Sequence, residues 1–171
     1  SLEDGMQVYR WDQNPGDTLV NHIYIQELVG WLSTQYHLDP TSLYIMGFSS
    51  GTNQVAQFLV DDKTLFSGFG FIGGGIWSEG YPLRHGLVYL ATGYRDYMHT
   101  YHYELRRRLE LAGFADTFVF ERTFAGGHEL YDWMYPEVWQ FLHEARRPSH
   151  GALRGPWVQE VFPGEMDLLG A

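Results

Sequence analysis

The chain has 171 residues, a formal net charge of −10, 44% apolar residues and 17% aromatic residues. This composition is typical of one globular domain, and the negative charge argues against nucleic acid or an anionic membrane surface as a partner. The absence of cysteine excludes disulfides, thiolate metal sites and cysteine nucleophiles, and no apolar run approaches the roughly 20 residues of a membrane helix.

Strands and helices alternate along the predicted chain. A short strand at Met6–Trp11 precedes a helix at Leu19–Tyr36, for which Asp17 or Thr18 is the predicted cap. The later predicted elements are strand Ser42–Met46, helix Thr52–Val60, strands Phe66–Ile72 and Leu87–Ala91, helix Tyr97–Ala112, strand Phe118–Phe124 and a helix opening at Pro136. This order predicts an α/β fold with a parallel sheet, whose active residues follow the carboxyl ends of the strands.

Ser49 lies between Gly47 and Gly51, where the predicted strand gives way to a helix. An ordinary tight turn is one explanation of this pattern. The other is a nucleophile on a sharp strand-to-helix bend, where the two glycines let helix and strand approach closely. In that case the backbone amide of Ser50 would point at a developing oxyanion.

An acid and a base follow the ends of two later strands. Asp96 comes a few residues after the Leu87–Ala91 strand, and His128 comes just after the last strand. A serine hydroxyl needs a base to take its proton, so we expect His128 to be that base and Asp96 to hold its tautomer. Glu79, after an earlier strand, is the alternative acid.

Aromatic residues near the strand ends predict an apolar substrate pocket, although the same residues would also serve as core. They are Trp77, Tyr81, Tyr94, Tyr97 and Trp133. The glycines at 73–75 are interpreted as a flexible strand end lining the pocket, since no Lys or Ser/Thr pattern of a phosphate loop follows them. The remaining histidines, such as His22, His99 and His102, are expected on helix surfaces or in local hydrogen bonds.

The order Ser, Asp, His and its spacing resemble the C-terminal half of an α/β-hydrolase. The stretches "DPTSLYIMGFSSG" and "GGHELYDW" are similar to the polyhydroxybutyrate-depolymerase and feruloyl-esterase group of carboxylesterases, with a likeness from about Asp17 to Arg147. The resemblance implies a serine carboxylesterase that acts on a small-molecule ester without a metal or cofactor. It further implies one partial domain over 1–171, with residues 148–171 as a tail that packs on it.

The sequence departs from that family at its beginning. The family has further strands before the one predicted at Met6–Trp11, and a loop there that gives a second oxyanion amide. The elbow strand, which is the predicted strand Ser42–Met46 leading into Ser49, is apolar on both faces. We therefore expect it to have a neighbouring strand on each side, one of them Phe66–Ile72. The other is Met6–Trp11, a second chain or, as we favour, an absent N-terminal segment. Two alternatives remain open: a hydrolase-like structural half with little activity, and a serine peptidase of the same fold.

Overall fold

The computed structural model describes residues 2–3, 6–7, 15–61, 65–76, 80–82, 86–114 and 119–143. The chain is divided into two compact units, residues 1–38 and residues 39–171. None of the helices in the described ranges combines the length and the hydropathy that a membrane crossing requires.

The first unit contains a small hairpin and one long helix. Strand β1 (Leu2–Glu3) pairs antiparallel with β2 (Met6–Gln7), and α1 spans Pro15–Gln35. The strand predicted at Met6–Trp11 is therefore present over its first two residues, and residues 8–11 lie outside the described ranges. The helix begins ahead of the predicted caps Asp17 and Thr18, because proline is well tolerated at a first helical position.

The second unit is a four-stranded parallel sheet with helices between and after its strands. The strands are β3 (Tyr44–Phe48), β4 (Gly68–Ile72), β5 (Leu87–Gly93) and β6 (Val119–Phe124), in the order β3-β4-β5-β6. The helices are α2 (Gly51–Leu59), α3 (His99–Leu111) and α4 (Met134–Leu142). The predicted α/β class with a parallel sheet is confirmed.

The parallel register of the sheet places the carboxyl ends of all four strands on the same side. Phe48 of β3 pairs with Ile72 of β4, Ile72 pairs with Ala91 of β5, and Gly93 pairs with Phe124 of β6. The loops that follow these strands therefore begin side by side, which is where ligands bind in open α/β sheets.

The core lies around the two central strands. Every residue of β4 and β5 is buried, as expected for parallel strands covered on both faces. Tyr89 of β5 donates its hydroxyl to Glu137 of α4 at 2.5 Å, and burial raises the pKa of Tyr89 far above its ordinary value. Arg122 of β6 pairs with the same carboxylate, so Glu137 ties α4 to both strands.

Among the described residues, strand β3 has one of its two expected neighbours, the predicted strand Phe66–Ile72. Its residues are half-buried, and Met46 is 37% exposed. The reason is its place in the sheet: β3 stands at the end of the strand order and pairs with β4, and no described residue pairs along its other side.

Helix α4 begins at Met134 rather than at the predicted Pro136. Proline is tolerated in the first turn of a helix because an amide there has no intrahelical acceptor to lose.

Candidate active site

Ser49 occupies a strained turn between β3 and α2. Its φ is 54°, and no other non-glycine residue of the described ranges has a positive φ. Hydrogen bonds hold the turn on both sides: the Ser49 amide donates to the Ile72 carbonyl at 3.0 Å, and the Thr52 amide and hydroxyl donate to the Ser49 carbonyl. A Cβ at Gly47 would lie 2.5 Å from the Gly51 carbonyl carbon, so the close approach of strand and helix requires glycine there. Such strain persists only where the surroundings impose it.

A continuous hydrogen-bonded chain links Ser49, His128 and Asp96. The Ser49 Oγ lies 2.7 Å from His128 Nε2, and His128 Nδ1 lies 2.9 Å from Asp96 Oδ1. A carboxylate accepts hydrogen bonds, so the neutral ring carries its proton on Nδ1 and accepts the serine hydroxyl at Nε2. The Asp96 side chain is 1% exposed and that of His128 is 14% exposed, which leaves the histidine accessible at one side of a mostly covered site.

The carboxylate of Asp96 is oriented by two donors that meet on one oxygen. Besides His128 Nδ1, the amide of Met98 donates to Oδ1 at 2.7 Å. The second oxygen, Oδ2, is buried and has no hydrogen-bond partner among the described residues. The Asp96 amide also donates to the Gly93 carbonyl at 3.0 Å, so backbone and side chain are fixed together.

Ser50 stands at the start of α2, with φ −58° and ψ −25° and no capping hydrogen bond from its side chain. Its amide donates to no backbone carbonyl in the described part of the chain. Amides at a helix N-terminus carry a partial positive charge that favours an anion. The predicted oxyanion donor is thus located beside Ser49, at the positive end of a helix.

The predicted pocket residues are found in different surroundings. Tyr94 is 52% exposed and Tyr97 is 70% exposed, in the loop that carries Asp96. Tyr81 is exposed as well. Two predicted residues, Trp77 of the pocket and Glu79 as the alternative acid, lie outside the described ranges.

Trp133 packs into the protein at the start of α4. Its ring meets that of Phe124 edge-on at 5.4 Å, and the guanidinium of Arg122 lies 4.3 Å from its centroid. The side chain is half-buried against the core. These contacts are those of a packing residue, and a substrate contact by Trp133 stays a prediction.

Two residues beside His128 make contacts that the sequence did not predict. The ring of Phe48 stacks on that of His128, with centroids 4.9 Å apart. Gly73, with φ 57°, approaches both His128 and Asp96 so closely that a Cβ would lie 3.0 Å from Asp96 Oδ2. Phe48 directly precedes Ser49, so its position in the elbow was the available signal.

His102 is fully buried and its hydrogen-bond partner lies on another element, so the expectation of a helix-surface position or a local hydrogen bond is wrong for this residue. Its Nε2 lies 2.7 Å from Glu121 Oε1 of β6, while Arg106 lies 3.5 Å from the other oxygen. The hydrogen bond from His102 lowers the pKa of Glu121. The available signal was spacing, because His102 shares a helix face with the buried Leu105 and Leu109. In the ranges that the structure describes, no three His, Asp or Glu side chains are grouped to hold a metal ion.

Comparison with known proteins identifies the fold. No family model matches the sequence, and no curated protein matches it. A carboxylesterase from Bacillus cereus is 18% identical with a TM-score of 0.64, over 83% of this chain and 70% of that one. A carboxylesterase from Mesorhizobium loti is 17% identical with a TM-score of 0.66, over 83% and 70%. MGS-M1, an α/β hydrolase from a Medee basin deep-sea metagenome library, is 15% identical with a TM-score of 0.56, over 71% and 54%. The chain therefore has the α/β-hydrolase fold.

Proposed function

We propose that this chain is a serine hydrolase that cleaves carboxylic esters through an acyl-enzyme. The observation that carries the proposal is the hydrogen-bonded chain from Ser49 Oγ through His128 to Asp96 Oδ1. The positive φ of Ser49 supports it, because a strained strand-to-helix turn exposes a nucleophile in this fold.

The proposed reaction has two steps. Ser49 Oγ attacks the ester carbonyl while His128 Nε2 takes its proton, and the carbonyl oxygen becomes an oxyanion facing the Ser50 amide. The C–O bond to the alcohol then breaks, and His128 returns the proton to the leaving alkoxide. A water molecule then attacks the acyl carbonyl while the same histidine takes its proton. The bond to Ser49 Oγ breaks, His128 returns the proton to Oγ, and the acid leaves. Asp96 orients the ring and stabilises the imidazolium in both steps.

The proposed substrates are uncharged esters of the aryl or polyester type. The net charge of −10 disfavours polyanions, and the exposed rings of Tyr94 and Tyr97 belong to the loop that carries Asp96. Trp77 and Trp133 complete the proposed pocket. Support for ester cleavage comes from the two carboxylesterases among the similar structures, and the likeness of the elbow and histidine motifs to polyhydroxybutyrate depolymerases and feruloyl esterases suggests the finer class.

A second candidate function is that of a hydrolase-like half with little activity of its own, which needs an N-terminal segment or a second chain to complete its sheet. The observation that favours it is the free side of β3, where Met46 is 37% exposed and no described residue pairs. A missing second oxyanion donor would lower the rate by about 10²–10³-fold without abolishing it.

A fluorophosphonate probe tests the leading proposal, since it reacts with an activated serine. Peptide mapping should find the label on Ser49, Ser49→Ala should abolish it, and Ser50→Ala should retain it. Hydrolysis of p-nitrophenyl butyrate by the same samples separates the two candidates. Label on Ser49 with very slow turnover supports the incomplete half, whereas label that persists in Ser49→Ala contradicts the assignment of the nucleophile.

A further inference from the structure

Aromatic rings cover the ring of His128. Phe48 lies nearly parallel to it, with centroids 4.9 Å apart and an interplanar angle of 28°, and Tyr97 lies at 4.5 Å and 47°. The backbone of Gly73 approaches a third part of the ring, where a Cβ would lie 3.3 Å from Nδ1 and 2.9 Å from the Phe48 ring. The surroundings of His128 are thus built from the last residue of β3 and from the loops that follow β4 and β5.

These contacts restrain a motion that the hydrogen bonds of His128 restrain poorly. Ser49 and Asp96 hold the two ring nitrogens, and a ring held at two points keeps the freedom to tilt about the line that joins them. Contacts on the ring faces oppose that tilt. They also act when a hydrogen bond is lost, because van der Waals contact does not depend on protonation or on a donor.

One of the two hydrogen bonds is lost during the proposed reaction. Once Ser49 Oγ carries an acyl group it has no proton, so it no longer donates to His128 Nε2. The ring is then held by Asp96 and by its aromatic neighbours while it activates water. A general base must stay within hydrogen-bond reach of the proton that it abstracts. Restraint of the ring therefore matters most in the second step.

We propose that Phe48 and Tyr97 are positioning residues that hold the His128 ring for deacylation. The inference rests on the proposed function for its kinetic consequence, whereas the restraint of the ring is independent of turnover. Tyr97 is the residue to test, because its side chain is 70% exposed and its truncation leaves the core intact. The loss of one aromatic ring contact of this kind is expected to change an equilibrium constant or a rate constant by about tenfold.

The experiment compares Tyr97→Ala and Tyr97→Phe with Tyr135→Ala, a matched truncation of a 49% exposed tyrosine on α4. With p-nitrophenyl butyrate, Tyr97→Ala should lower kcat and KM together by about tenfold and leave kcat/KM unchanged, because only deacylation slows. A burst of p-nitrophenol should show the accumulated acyl-enzyme. Tyr97→Phe keeps the ring and should behave as the wild type, as should Tyr135→Ala.

Other kinetic outcomes overturn the inference. A raised KM with unchanged kcat would make Tyr97 a substrate contact, and equal losses in kcat and kcat/KM would indicate damage to the base in both steps. Unchanged constants would leave Tyr97 without a role at His128.

A second measurement does not depend on turnover. The proton NMR signal of His128 Nδ1–H should broaden by exchange with water in Tyr97→Ala and stay sharp in Tyr97→Phe and Tyr135→Ala. Equal signals in all variants would refute the restraint even in an active enzyme. A broadened signal in Tyr97→Ala, together with a wild type that neither reacts with the probe nor turns over, would refute the proposed function and retain the restraint.

Discussion

Replacing Asp96 by asparagine tests the proposed acid while keeping the shape of the side chain. Two donors converge on Oδ1, His128 Nδ1 at 2.9 Å and the Met98 amide at 2.7 Å. An asparagine oxygen in that place accepts both, whereas an amide nitrogen there would face two donors. We therefore expect the oxygen to stay, the tautomer of His128 to be kept, and the negative charge to be the main loss.

The size of the effect follows from the attraction between that charge and the imidazolium. At about 4 Å between the charge centres and an effective dielectric constant near 20, the attraction is about 4 kcal/mol. Since about 1.36 kcal/mol corresponds to one decade of rate, kcat should fall about 10³-fold. A change of tautomer in addition would bring the loss to about 10⁴-fold. KM should change little, because the Asp96 side chain is 1% exposed and does not reach substrate.

The assay is the initial rate of p-nitrophenyl ester hydrolysis, with circular dichroism to confirm the fold. Asp132→Asn is the matched control, since it removes an exposed carboxylate from the segment after His128 and should leave kcat unchanged. A loss below about tenfold in folded Asp96→Asn would refute the argument, because a general-base system depends on its orienting group by more than that. A large loss in Glu79→Gln with activity retained in Asp96→Asn would assign the acid to Glu79.

Three further predictions concern stability. Gly47→Ala places a Cβ 2.5 Å from backbone that cannot yield, so we expect a lower melting temperature and a loss of soluble protein on expression. Leu109→Ala should lower the free energy of unfolding in urea by about 2–5 kcal/mol, while the 60% exposed Leu111→Ala should change it little. The hydrogen bond from His102 lowers the pKa of Glu121, so the bond stabilises the fold fully above the ordinary value of 4.5 and is lost as pH falls through the lowered folded value. Glu121→Gln should therefore cost about 1 kcal/mol at pH 7, and this difference should shrink below pH 4.5 in urea titrations; a difference that grows in acid would contradict the sign.

Local pattern was sufficient to predict the central strands and the loops after them. β4 and β5 read as apolar runs between turn residues, and Ser49, Asp96 and His128 each follow a strand end. The parallel register then explains why the structure brings these three side chains together. The sequence left the second neighbour of β3 open between Met6–Trp11, a second chain and an absent segment, because strand order is a property of the whole sheet and does not appear in the sequence of one strand.

Contacts between side chains that are far apart along the chain also could not be predicted from the sequence pattern. Phe48 contacts His128 because all the strands, β3 and β6 included, have their carboxyl ends on the same side of the sheet. The ring contact depends on side-chain rotamers as well, and these do not appear in the sequence pattern. Gly73 is a similar case: as part of a glycine run it indicated flexibility, whereas its close approach to Asp96 and His128 leaves no room for a side chain.

The left-handed backbone conformation of Ser49 lowers the stability of the fold at the position that carries the proposed nucleophile. An L-residue in the left-handed region costs about 1 kcal/mol that glycine avoids. Ser49→Gly should therefore be more stable than Ser49→Ala, since both lack the hydroxyl and the alanine alone retains the strain. A variant library sorted by cellular abundance would tolerate or enrich glycine at position 49, and the same library sorted by turnover would eliminate it. The divergence of the two profiles at this residue would mark the nucleophile without any knowledge of the substrate.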